Sequence, residues 1–166
     1  MSQLRQIISA IEELGRRVGL LESQGPWMPL AVRARKTSAQ NVAHATPVSI
    51  AWQEVEYDYG GFFDSATPTR LTAPVTGVYH VWSHIEWTSD NSVGFRFVSL
   101  RKNGVADEWG SDRRLATAPT EQGTFTTLQL AAGDYIEVRV FHTAGSGVTL
   151  RIGTSNDVRF GMERVA

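Results

Sequence analysis

The 166-residue chain contains no cysteine. That excludes disulfide staples, thiolate nucleophiles and cysteine-based zinc sites, and leaves the redox compartment open. No run approaches the ~18 apolar residues that a membrane-crossing helix needs, so no membrane partner is expected. A formal net charge of −1 gives no electrostatic grounds for a nucleic-acid partner. The first residues, MSQLRQIISAIEEL, include Glu12 and Glu13 and lack a basic segment followed by a solid apolar core. They do not read as a secretory signal, and synthesis in a cytoplasm without export by that route is expected. Catalytic signatures are missing too. There is no G-x-S-x-G elbow, and Ala144-Gly145-Ser146-Gly147 is a turn with no lysine after it to make a phosphate loop. Asp107-Glu108 adjoin in sequence without any need to share a cleft. The chain is expected not to be an enzyme, with no catalytic residues.

What is present centres on Leu71–Trp87, LTAPVTGVYHVWSHIEW. Pro74 fixes φ and Gly77 supplies a permissive backbone in a turn, and a long strand follows from Val78 to Trp87. Its alternation makes two unlike faces. Tyr79, Val81, Ile85 and Trp87 suit a core, while His80, Trp82, His84 and Glu86 are polar yet include a tryptophan. A solvated face has little use for Trp, and a core has little use for two His and a Glu. The pattern predicts a strand between a hydrophobic core and a semi-polar subunit interface.

Leu4, Ile7, Ile11, Leu14, Val18 and Leu21 fall at spacings of 3, 4, 3, 4 and 3, a heptad seam with Leu4, Ile11 and Val18 at a and Ile7, Leu14 and Leu21 at d. The alternative is an ordinary amphipathic helix packed on the domain, which Ile8 and Leu20 would suit by widening the stripe. Gly25 and Pro26 end the helix. The predicted organisation is a coiled-coil stalk over 1–23, a neck over 24–29 and a β domain over 30–166. Residues 1–36 carry six Arg/Lys against three Glu, net +3, and the remainder is net −4, so a basic stalk end could dock on an acidic surface.

From Pro29 onward the signals are all β. Alternating runs at 30–36, 48–57, 78–87, 93–102, 124–130, 135–143, 148–152 and 158–164 are separated by turn clusters such as Lys102-Asn103-Gly104 and Ala131-Ala132-Gly133-Asp134. Eight to ten strands with no helical period predict an antiparallel sandwich. The run from Tyr135 repeats the two-faced logic. Ile136, Val138 and Val140 line one side, and Tyr135, Glu137, Arg139 and Phe141 the other. Both mixed faces are expected to meet copies of themselves around one axis, making His80, Trp82, His84, Tyr135, Glu137, Arg139 and Phe141 the head interface.

Ala73-Pro74-x-x-Gly77-x-Tyr79, Leu100-x-x-Asn103-Gly104, Leu128-x-Leu130-x-x-Gly133-Asp134 and a closing Phe-Gly strand (159–165) occur in that order. Over about residues 29–166 the chain therefore resembles the globular head of complement component 1q and the related tumour necrosis factor cytokines. The resemblance implies an all-β antiparallel jelly roll that forms homotrimers, often on a trimeric stalk. The collagen stalk of many animal members is replaced here by a short coiled coil. That combination resembles the small trimeric fibre, decoration and tip proteins of bacteriophage virions. The implied protein is a virion-surface homotrimer, attached to capsid or tail proteins through its stalk, whose head binds a host-surface glycan or protein. A free bacterial carbohydrate- or protein-binding module is the alternative.

Four apart on a strand, His80 and His84 lie ~13 Å apart and cannot share an ion within one subunit, so no metal site is assigned. If they line a trimer axis, their protonation is expected to bring like charges together. Some members of the resembled family hold calcium through loop carboxylates. Asp90, Asp107, Glu108 and Asp112 are the candidates here, but no cofactor is expected. Aromatics beside charges in loops mark the candidate ligand contacts, Trp109, Arg113, Arg114 and Tyr59.

Overall fold

Side-chain alternation and turn chemistry build the architecture. The computed structural model describes residues 6–8, 10–15, 29–88, 93–105, 108–116, 120–145, 149–154 and 158–166. Among the described residues, twelve strands form: β1 (Ala31–Arg35), β2 (Gln40–Ala43), β3 (Val48–Ser49), β4 (Glu54–Tyr59), β5 (Arg70–Thr72), β6 (Gly77–Thr88), β7 (Gly94–Lys102), β8 (Glu108–Ala116), β9 (Thr120–Leu130), β10 (Tyr135–His142), β11 (Thr149–Ile152) and β12 (Arg159–Arg164). A seven-stranded sheet runs β2-β11-β6-β12-β1-β4, with β9 on the other edge of β6. A five-stranded sheet runs β3-β10-β7-β8, with β5 also on β10. All strand pairs are antiparallel. The two sheets close over a core in which Tyr79, Val81, Ile85 and Trp87 of β6 meet Ile136, Val138 and Val140 of β10, all fully buried.

The motifs that carry the family resemblance converge on one clasp at an end of the sandwich. Ala73 N–H donates to the Asp134 carbonyl at 2.8 Å and its carbonyl accepts from Gly133 at 2.9 Å. Asn103, at φ 51°, donates through Nδ2 to Asp134 Oδ1 at 2.7 Å and accepts from Tyr135 N–H at 2.8 Å. Asp134 Oδ2 takes Ala131 N–H and pairs with Lys102 at 2.8 Å. Tyr79 reaches back to the Val75 carbonyl at 2.7 Å. Gly77 is required because a Cβ there would lie 2.6 Å from the Ala166 carbonyl oxygen.

Lys102, then Asn103 and the Ala131 N–H, hold the Asp134 carboxyl at about 2. Its folded value lies below the ordinary ~3.9, so its stabilisation is complete above about pH 4. That stabilisation fades as pH falls through about 2. The Asp134→Ala substitution is expected to cost about 1–2 kcal/mol at pH 7, allowing for solvent screening. The difference from the parent should shrink toward pH 2 in urea titrations, and a pH-independent difference would contradict the assignment.

The structure adds β2 and β5, which no expected run covers, and corrects the expected strand map in three further respects. The run at 48–57 is two strands, β3 and β4, separated where buried Ile50 and Trp52 turn into the core. The charged run 107–114, read as a loop, falls from residue 108 onward in strand β8, paired along β7. Most consequentially, β10 belongs to the five-stranded sheet and β6 to the seven-stranded one. Their outer faces lie on opposite sides of the sandwich and do not form one continuous surface of the chain.

Candidate functional site

The outward face of the seven-stranded sheet is built row by row. Strand registers align Tyr57 with Arg33, Arg33 with Gly161, Gly161 with Trp82 and Trp82 with Phe125. Because the side-chain period is two, all five residues address the same side. Gly161 has no side chain, and the Trp82 indole lies over it, leaving a built Cβ only 2.6 Å from Trp82 Nε1. A small residue beside a large one thus seats the indole flat on the sheet. Phe125, on edge strand β9, has no such seat and is 73% exposed.

The neighbouring rows supply charge. His80 Nδ1 lies 3.1 Å from Glu163 Oε1, and its ring meets that of Phe125 edge-on at 6.3 Å. His84 Nε2 lies 3.8 Å from Glu121. Glu56 bridges Arg159, at 2.9 Å, and Arg33. Burial alone pushes the Glu56 carboxyl up, but hydrogen bonds from Arg159 and Arg33 outweigh it and hold it below its ordinary value. The Arg33 guanidinium also sits 5.1 Å over the Tyr57 ring. Between these groups is a depression of about 320 Å³ lined by Arg33, Trp82, His84, Glu121 and Arg159.

The site residues read from the sequence are distributed over both sheets and the N-terminal helix, and some lie outside the described residues. His80, Trp82 and His84 are half-buried on this face. Each histidine stands beside a glutamate of its own chain. Tyr135, Glu137, Arg139 and Phe141 lie on the opposite sheet. There Arg70 covers the Tyr135 ring at 4.6 Å, and Glu137 accepts from Thr69 Oγ1 at 3.1 Å. These four are therefore not brought together with His80, Trp82 and His84.

Tyr59 ends β4, exposed and stacked on Tyr57 with ring centroids 5.6 Å apart. Trp109, Arg113 and Arg114 lie on β8 in the five-stranded sheet, whereas Tyr59 belongs to the seven-stranded one. Of the calcium candidates, Glu108 and Asp112 are strand residues, and Asp90 and Asp107 lie outside the described residues. In the segment expected to be the stalk, residues 6–8 and 10–15 are helical. Ile7, Ile11 and Leu14 are 56%, 63% and 63% exposed in the single chain, not packed on the β domain. Leu4, Val18 and Leu21 lie outside the described residues, as do neck residues 24–28.

Phe125, Gly161, Arg33, Arg159 and Glu56 were missed in the sequence. Phe125 was findable, because it stands on the polar side of an alternating run, Gly123-x-Phe125-x-Thr127, by the same logic that singled out Trp82. Gly161 beneath Trp82 was not, because cross-strand partners separated by ~80 residues leave no local mark.

No protein-family model matches the chain, and no curated protein matches it in sequence. Solved structures do match in fold. Murine APRIL at pH 5.0 superposes with a TM-score of 0.62 at 14% identity, covering 83% of this chain and all of that one. The globular domain of zebrafish complement 1qA gives 0.59 at 14% identity, covering 84% and 98%. Eiger TNF from S. frugiperda gives 0.57 at 17%, covering 83% and 93%. The chain has the jelly-roll fold of these proteins.

Proposed function

We propose that the chain is a homotrimeric structural protein of a bacteriophage virion, a fibre or decoration protein without catalytic activity. In this reading residues 1–23 are the coiled-coil foot that attaches to capsid or tail proteins. Residues 24–29 are the neck, and residues 30–166 are a jelly-roll head facing outward. The observation that carries it is that the single chain leaves uncovered an apolar helical seam, that of Ile7, Ile11 and Leu14, and a mixed sheet face bearing an exposed Phe125 and a half-buried Trp82. A seam repeating every 3.5 residues is satisfied by parallel copies of itself. A stalk of only ~30 Å is marginal alone, so the head face must contribute to holding the copies together.

The mechanism is geometric. Three linked heads raise effective concentration at a surface without any new contact, which suits either capsid decoration or capture of a host-surface glycan or protein. Mass spectrometry of purified virions from the source phage tests this. The chain is expected at a copy number divisible by three, and its absence from the particle would leave the free binding module as the reading. The Ile11→Asp/Leu14→Asp double variant of the full chain is expected to lose particle attachment while its head still melts cooperatively. Retained attachment would contradict the foot assignment.

A further inference from the structure

At the end of β10 opposite the Asn103–Asp134 clasp, the departing chain is held by two imidazoles. Three consecutive backbone N–H groups fix it there. Thr143 N–H donates to the Phe95 carbonyl at 2.9 Å, Ala144 N–H to His142 Nδ1 at 3.2 Å, and Gly145 N–H to His44 Nδ1 at 3.0 Å. The two rings stand edge-on with centroids 6.0 Å apart. We propose that His44 and His142 form an acid-operated latch, in which protonation of the pair releases residues 143–145 and loosens the β2–β11 edge of the head. The device belongs to the single chain and does not rest on the assembly proposed above.

Each ring serves as acceptor only in its neutral form, because a nitrogen that takes a backbone N–H carries no proton of its own. In His142 the one ring hydrogen then sits on Nε2, 2.8 Å from the Val42 carbonyl. A second proton goes to Nδ1, where it faces the Ala144 N–H donor to donor, and His44 is placed the same way against Gly145. His142 is fully buried, which penalises the charged ring. Trp87 of β6 meets it edge-on at 6.0 Å, and Arg96 of β7, also fully buried, is its register partner. Beyond Arg96, β8 brings Arg114 and Asp112 into register with Arg96 and Val98. The open turn binds more protons than the closed one, so the latch weakens as pH falls through the ordinary imidazole range near ~6.5. Its release reaches the sheet edge. The His142 carbonyl also accepts Ala45 N–H at 2.9 Å, just past β2. Strand β11 pairs with β2 over four residues but, among the described residues, with β6 only at Arg151–Thr88 and Ile152–Trp87.

Backbone hydrogen exchange of the full chain at pH 7 and pH 5, expressed as protection over the unstructured rate at each pH, tests this. Protection at 144–145 and along β11 is expected to fall at least about tenfold at pH 5, while β6 and β9 keep theirs. The Asp134 clasp does not enter, because its carboxyl, held at about 2, is ionised at both. His44→Asn offers Gly145 a side-chain oxygen that does not titrate, and it leaves His80 and His84 untouched. The variant is expected to keep the protection seen at pH 7 and to reduce the acid loss at least about threefold. A parent whose protection at 144–145 changes less than about threefold, or an acid loss that His44→Asn leaves undiminished, overturns the latch. So does a loss spread equally over β6 and β9. Exchange at the ring Cε1 positions of the parent, followed by mass, gives a second reading that needs no variant. His44 and His142 are expected to gain their protons over the pH range in which 144–145 opens, and rings still neutral at pH 5 overturn the proposal.

Discussion

The Gly161→Ala substitution is expected to shift the chain from trimer toward monomer while leaving the head folded. A Cβ at Gly161 would lie 2.6 Å from Trp82 Nε1, so the indole must leave its seat and swing across the face through which the copies are proposed to meet. Displaced central tryptophans commonly cost interfaces more than 2 kcal/mol, which puts the expected loss at about 30-fold or more in association. Strain within the single chain is smaller, because the half-buried ring can swing outward into solvent. Gly123→Ala is the matched control. It adds the same carbon to the same face two strands away, where the built Cβ meets its nearest neighbours at 3.9 Å. It is expected to change association no more than about threefold. Equal effects at the two positions would show that the seated indole is not what the copies recognise.

The second large effect lies in the core. Gln122 of β9 is fully buried. Its Oε1 accepts from Trp87 Nε1 at 2.6 Å, and its Nε2 donates to the carbonyls of Arg96 and Asp112, each at 3.1 Å. Those carbonyls belong to β7 and β8, so one amide clasps the seven-stranded sheet to the five-stranded one. Gln122→Leu removes three hydrogen bonds and leaves the indole N–H without that acceptor. The expected cost is about 3 kcal/mol, or about 6–12 °C in melting temperature for a domain of this size. The Gln122→Leu/Trp87→Phe double variant should cost less in total than the two single effects summed, since each single variant strands the other's partner. Strict additivity would sink the clasp.

How far the fold could be read from the sequence follows from how local each signal is. The two faces of β6 and β10 were legible to the residue, because alternation is written into consecutive positions. Every expected core residue of those strands is buried. The turn clusters at Asn103 and Asp134 were legible for the same reason. Sheet membership was not, since which strand lies beside which depends on partners tens of residues away. That is why the outer face of β10 was assigned to the same axis as His80. β8 escaped because its Asp112-Arg113-Arg114 looks like a solvated loop. Gln122 and Arg96 escaped because a buried polar side chain is recognisable only once its partners are in place.

Among the site residues, the tryptophan on the polar side of β6 was the informative anomaly, and the same reasoning applied to β9 would have found Phe125. The depression between Arg33 and Arg159 needed β1, β12 and β6 in register, and no single stretch of sequence encodes it.

Sedimentation equilibrium of the intact chain at micromolar concentration and neutral pH bears on all of this most directly. Three times the mass of one chain, independent of loading concentration, is the expected result. The mass of a single chain would mean that the Trp82–Phe125 face and the helical seam are not covered by sister copies, and the proposed assembly would be wrong.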